Sequence, residues 1–313
     1  MIGEIKMRLN AVMKNSDFST DKIMGTLSLL EKKSLSSRPS LVFNDPGDEL
    51  HKKAAVQLKN LGYEVYQFKD TDTASSMMYN PLDYIVELQK NGMNEKANET
   101  LEDITHFLFE DEEGTFEDLA RSVFKNKLVS LIERSTEKAG RMVSLNSIVI
   151  DESDVLNQPV RLREVNETIL MNIKAKLHAH ELRNLSKTNL NMSDIGFSEK
   201  PVAIFLGDSD NSLFNYSKSI FIEHLYLCLV KKTNSKKPQC DRQVYITLRD
   251  FEKMNPIRNI DIMVSLSVSA RIYFNLLFDS ELELLKRYGE TTTSRILGNC
   301  KRSIGAEYAY LVG

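Results

Sequence analysis

Ser40-Leu41-Val42-Phe43-Asn44-Asp45-Pro46-Gly47-Asp48-Glu49-Leu50 is the stretch on which the fold turns. Leu41 to Phe43 read as a short buried strand, Asp45, Pro46 and Gly47 as a tight turn, and Asp48 and Glu49 as the start of a helix. A strand that carries a carboxylate to its C-terminal end is where an open α/β sheet binds ligands. The helix runs from Leu50 to about Asn60 with Leu50, Ala54 and Leu58 facing inward, and Gly62 lies just past its end, where a C-cap glycine belongs. Glu64 to Phe68 then alternate polar and apolar as a second strand. This βαβ spacing implies a parallel sheet.

On the N-terminal side, residues 1 to 37 read as two helices. Ile5, Leu9 and Met13 share one face of the first. The second begins near Ser19, with Thr20 or Asp21 as its cap, and runs through Leu27, Leu29 and Leu30. From Tyr79-Asn80-Pro81-Leu82 to about Ser198 the pattern is helical, with helices expected at Leu82 to Lys90, Lys96 to Phe109, Thr115 to Lys138 and Val160 to Leu185. Strand signals return at Pro201 to Leu206, Val244 to Leu248, Ile272 to Leu277 and Glu307 to Val312. Between them lie helices at Ser212 to Lys231, Ser280 to Tyr288 and Thr291 to Gly298. The expected organisation is N-terminal helices over 1–37, one α/β domain from 38–83 plus 198–313, and an all-α insertion over 84–197.

The chain has 313 residues, a formal net charge of -3 and three cysteines, Cys228, Cys240 and Cys300, with no CxxC pair. Free thiols in a reducing compartment fit this count better than a disulfide framework. The charge balance gives no overall support to nucleic-acid binding. No apolar run reaches the roughly 18 residues of a membrane span, and the N-terminus MIGEIKMRLN is too charged for a signal peptide, so the expected location is cytoplasmic. Glu102 to Asp118 hold eight carboxylates and no Lys or Arg. The run Glu110-Asp111-Glu112-Glu113 within them reads first as a solvated surface and second as a docking site for a basic partner. Lys231 to Pro238 form a basic, polar loop.

Five segments in order, SLVFNDPGDEL, LGYEVYQFKD, YNPL, KPVAIFLGDSDNS and YGETTTSRILGNC, resemble the ATPase region of the TraG/TraD-type coupling proteins, the hexameric motors of conjugation and type IV secretion. The resemblance covers about residues 38 to 313 and implies a RecA-like, P-loop-NTPase-type, mostly parallel α/β sheet with an all-α insertion domain. A working phosphate site of this kind needs a glycine loop with a Lys, a Ser or Thr on Mg²⁺ and a strand-end acid. No G-x-x-x-x-G-K-[ST] is present, and none of the 13 glycines precedes a lysine. The resemblance would put that loop before the Leu41 strand, where the chain reads KIMGTLSLLEKKSLSSRPS. The two successive carboxylates expected after the second acidic strand are Arg249 and Asp250 here. The family's DPKGEL has become DPGDEL around Asp45 and Glu49. Its RSRG and its strand-end glutamine are replaced by Val268-Ser269-Ala270-Arg271 and Asp279-Ser280.

The positions that match the family's nucleotide site are therefore Asp45, Glu49, Arg249, Asp250, Arg271 and Asp279, and they read as non-functional in catalysis. The expectation is a degenerate, coupling-protein-like subunit with a binding or regulatory role, no catalytic residue, no metal and at most weak Mg-ATP binding. Its partners would be protein components of a conjugation or secretion machine, an intact coupling ATPase among them, with DNA unsupported by charge. One alternative is a working ATPase that draws its lysine from Lys22, Lys52 or Lys53. Another is a GDS-type ester hydrolase using Ser209, although the Asp-x-x-His pairs Asp48–His51 and Asp103–His106 lie upstream of that serine and only His224 follows it. His178 and His180 with Glu181 suggest a metal, but positions two apart on a helix diverge. Cys300, in GNC, reads as packed rather than reactive.

Overall fold

The computed structural model describes residues 10–70, 76–110, 115–137, 143–145, 148–150, 163–177, 180–234 and 236–302. Seven strands form one sheet: β1 (Asn10–Met13), β2 (Ser40–Asn44), β3 (Glu64–Phe68), β4 (Val202–Leu206), β5 (Val244–Leu248), β6 (Ile272–Leu277) and β7 (Cys300–Arg302), in the order β3-β4-β2-β5-β6-β1-β7. Every pairing is parallel. Every residue of β2, β4, β5 and β6 is buried. Strands covered on both faces carry apolar residues at successive positions rather than at alternate ones, which is the pattern the sequence shows there. β3 lies at an edge and keeps a graded exposure.

The helices are α1 (Thr20–Ser28), α2 (Glu49–Asn60), α3 (Pro81–Lys90), α4 (Asn94–Leu108), α5 (Thr115–Glu137), α6 (Arg163–Leu177), α7 (Asp194–Phe197), α8 (Ser212–Lys232), α9 (Ile260–Ser267) and α10 (Glu281–Gly298). One core joins α1 and α2 to the sheet: Ile23, Leu27, Leu50, Ala54 and Leu58 pack with Leu41, Phe43, Phe205, Tyr245 and Tyr273. Each large side chain buried in this way contributes about 1.5–3 kcal/mol. α10 joins the two helices expected at its ends into one, with a bend at Gly289, whose φ of 77° and ψ of 167° leave the helical region.

The chain divides into two compact units, one of residues 1–69, 191–208 and 222–313, the other of 70–190 and 209–221. The first holds the whole sheet. The second is helical, and its described residues add no strand to that sheet. Its YNPL segment is a hydrogen-bonded corner. Asn80 caps α3 by accepting from the Leu82 amide (3.2 Å), and its Nδ2 donates to the Val143 carbonyl (2.7 Å) and to Asp83 Oδ1 (2.9 Å). Pro81 occupies the first turn, where no amide donor is needed.

The N-terminus corrects the reading of 1–37 as two helices. Asn10–Met13 are a strand seated between β6 and β7, and α1 alone matches the second expected helix. Asn10 fixes this register: buried, it accepts from the Phe274 amide (2.8 Å) and donates to the Val264 carbonyl (2.5 Å). Four residues are too few for periodicity to tell strand from helix, and neighbours on both sides decide. The strand expected at Glu307 to Val312 lies outside the described residues. The described part of the segment from Val160 to Leu185 is α6 and a 3₁₀ turn, His180–Leu185.

Candidate functional site

β1 runs through Lys14–Ser19 directly into α1, the strand–loop–helix connection that a phosphate loop uses. The position of such a loop is thus ahead of the KIMGTLSLLEKKSLSSRPS segment, which is α1 with 3₁₀ turns after it. Lys14–Ser19 contain no glycine, and Asn15–Asp17 wind into a 3₁₀ turn. A phosphate cradle needs backbone N–H groups aimed at the ligand. Here the Ser16 amide donates to Asp279 Oδ1 (3.2 Å), the Asp17 amide to Lys14 O (3.0 Å) and the Phe18 amide to Asn15 O (2.9 Å). Asn15 Oδ1 in turn accepts from the Asp250 amide at 2.9 Å. The loop is tied to the ends of β5 and β6.

At the end of β2, the Asp45 carboxylate is fully buried and accepts from the amides of Leu50 (3.1 Å) and His51 (2.8 Å) in the first turn of α2. Arg249, just past the end of β5, brings Nη1 to 3.3 Å from Asp45 Oδ1 and lies over the Phe18 ring, 4.1 Å from its centroid. Asn44 Nδ2 holds the Arg249 carbonyl at 2.7 Å. Burial pushes the Asp45 carboxyl above its ordinary range, against the opposing pull of the two amides and Arg249. A guanidinium that pairs with a carboxylate and lies over an aromatic face is anchored by both.

The neighbouring turn is also closed. Asp48 adopts a left-handed conformation (φ 59°), pairs with Lys69 and accepts from Gln67 Nε2 at 3.1 Å. Gly207 leaves room for it, since a Cβ there would come within 2.7 Å of Asp48 Oδ1. Glu49 is exposed at the start of α2.

The structure thus brings Asp45, Arg249, Asp250 and Asp279 to one edge of the sheet. Asp250 pairs with the exposed Lys253 (2.6 Å), and Asp279 is exposed. Arg271 stands apart: it precedes β6, at the opposite end of that strand, and its Nη1 donates to the carbonyls of Cys240 (3.2 Å) and Asp241 (3.0 Å). Sequence reading missed Asn15, Ser16 and Phe18, because the only signal for their strand was Ala11-Val12-Met13. Beside them opens a cleft of about 220 Å³ lined by Met13, Lys14, Asp17, Phe278, Asp279, Glu281 and others.

The remaining candidates lie elsewhere. Lys53 pairs with Asp21 (3.0 Å) and Lys52 reaches the Gly47 carbonyl (3.3 Å). Ser209 Oγ donates to Asp70 and accepts from the Asn211 amide, and no histidine is among its partners. Glu110 is exposed; Asp111, Glu112 and Glu113 are outside the described residues, as is His178. No group of three metal-ligating side chains occurs among the described residues, and no described helix is long and apolar enough to cross a membrane. The three cysteines are free, and burial pushes the Cys240 thiol up to about 11 and that of Cys300 up to about 12. Lys232 and Lys237 of the basic loop lie 5.5 and 5.3 Å from the centroid of Phe197.

A family model described as "Type IV secretory system Conjugative DNA transfer" matches residues 33–196. Among solved structures, the bacterial conjugative coupling protein TrwBdeltaN70, in a trigonal form with sulphate, is similar with a TM-score of 0.53 at 9% identity, over 96% of this chain and 70% of that one. Its unbound monoclinic form gives 0.50 at 10% identity, over 96% and 69%. The plasmid coupling protein TrwB in complex with ADP and Mg²⁺ gives 0.50 at 10%, over 96% and 70%. These likenesses are of fold, and with the seven-stranded parallel sheet they bear out the RecA-like α/β reading. No curated protein sequence matches the chain.

Proposed function

The chain belongs to the type IV secretory system conjugative DNA transfer family, and from that premise we propose that it serves such a system as a coupling-protein-like subunit that binds and positions components without hydrolysing ATP. The observation that carries the reading is Arg249, held by Asp45 and Phe18 in the strand-end position where a metal-binding acid would be needed. A fixed guanidinium repels Mg²⁺ directly. Moving it away to admit a nucleotide would leave Asp45 buried without its cation, and breaking a buried pair costs roughly 3–5 kcal/mol. The loop after β1 adds to this, since the amides of Ser16, Asp17 and Phe18 are already bonded within the protein.

The partners in this reading are protein components of the conjugation or secretion machine, an intact coupling ATPase among them. The test is a phosphate-release assay with Mg-ATP on the purified chain, alone and with such an ATPase. No release above buffer is expected from the chain alone. Magnesium-dependent turnover that survives purification and tracks the protein through a sizing column would overturn the proposal.

A further inference from the structure

We propose that Asp70, Ser209 and Asn215 hold an alkali-metal cation in the helical unit. Asp70 is 8% exposed, and its two carboxylate oxygens differ in circumstance: Oδ2 accepts from Ser209 Oγ, while Oδ1 is buried with no hydrogen-bond partner. Asn215 shows the same split. Its Nδ2 donates to the Ser209 carbonyl (2.6 Å), and its Oδ1 is buried and unpartnered. Ser209 links the two residues, and its own proton is committed to Asp70, since its hydroxyl accepts from the Asn211 amide at 2.9 Å.

Buried polar atoms are nearly always satisfied, and a carboxylate oxygen left without a partner is among the costliest exceptions. Both orphans here are acceptors, and swapping the Asn215 amide would set its oxygen against the Ser209 carbonyl. Among the described residues no ammonium or guanidinium pairs with Asp70. What completes such a set is a species that accepts lone pairs. One carboxylate with neutral amide and hydroxyl oxygens balances a single positive charge. Mg²⁺ would want an octahedral shell and Ca²⁺ six to eight oxygens with more carboxylate, so sodium or potassium fits the donor set best. The Gly-Asp-Ser segment that suggests a nucleophile in the sequence thereby gains a different role, with Ser209 as the hinge of a cation site.

The test is thermal unfolding of the full chain in sodium, potassium and tetramethylammonium chloride at equal ionic strength, with added Ca²⁺ as a further arm. A cation that binds only the native state raises Tm, here by about 2 °C or more in sodium or potassium over the bulky ammonium salt. Asp70→Asn should abolish the difference, because it removes the one negative charge that the cation balances, and Asn215→Ala, which removes one ligand oxygen, should reduce it. Equal Tm values in all three salts, which a bound water in place of a cation would give, overturn the proposal. So does stabilisation by Ca²⁺ alone, or a salt preference that persists in Asp70→Asn. The wild-type series decides by itself if a variant does not fold.

Discussion

Arg249 Nη1 stands 3.3 Å from Asp45 Oδ1, joining the ends of two adjacent parallel strands by a cation where the fold offers a ligand site. Asp45 is fully buried, and the side chain of Arg249 is 15% exposed. The pair is therefore a structural element of that strand end.

Its removal should be costly and pH-dependent. Arg249→Met is expected to lose about 2–4 kcal/mol near neutral pH, less than a wholly dry pair because the guanidinium keeps some water. Burial already raises the Asp45 carboxyl, and Arg249 is one of the influences that lower it. A native pKa above the unfolded one means that the group favours the native state increasingly as pH falls through the native value. Without Arg249 that value rises further, so the deficit of the variant should shrink as pH is lowered toward about 5. Urea unfolding at the two pH values checks this; a deficit that grows on acidification contradicts it.

Asn10–Met13 should behave as a central strand. Hydrogen exchange of peptides covering these residues is expected to be as slow as that of Ile272–Leu277, their neighbour in the sheet. Asn10→Ala should cost about 2 kcal/mol or more, because it strips a partner from the Phe274 amide. Fast exchange at Ala11 to Met13 would return this segment to the N-terminal helix that its sequence suggested.

Asp48 offers a test of backbone strain. At φ 59° glycine is at ease, so Asp48→Gly trades the Lys69 pair for conformational relief and should change stability by within about 1 kcal/mol. Asp48→Val loses the pair and puts a β-branched side chain in the left-handed region, and it should be worse than the glycine variant by about 1–2 kcal/mol. Equal stabilities of the two would show that the turn does not require this conformation.

The helical unit hangs on Asn80. Asn80→Ala removes the cap of α3 and the bond to Val143, with an expected loss of about 2 kcal/mol. An unchanged denaturation midpoint would mean that this corner is not structural.

The sheet could be read from the sequence wherever strands were long and unbroken. Val202–Leu206, Val244–Leu248 and Ile272–Leu277 are near-continuous apolar runs, the pattern of strands buried on both faces, and Asn44-Asp45-Pro46-Gly47 marks a strand end by its turn chemistry. Asn10–Met13 had no such signal, because a four-residue strand borrows its stability from β6 and β7 on either side. That one miss hid the most informative loop, since Lys14–Ser19 cannot be recognised as a phosphate-loop position until the strand before it is known. Arg249 was legible as a misplaced cation, but its partner and the Phe18 ring beneath it were not, being set by contacts more than 200 residues apart. Arg271 shows the opposite limit: its position in a motif suggested a site residue, and its place at the start of β6 separates it from the others.

The most direct test of a site filled from within is calorimetric titration of the chain with Mg-ATP. No binding tighter than about 1 mM is expected, corresponding to no more than roughly 4 kcal/mol, and none that depends on magnesium. A micromolar dissociation constant that weakens when magnesium is withdrawn would contradict it.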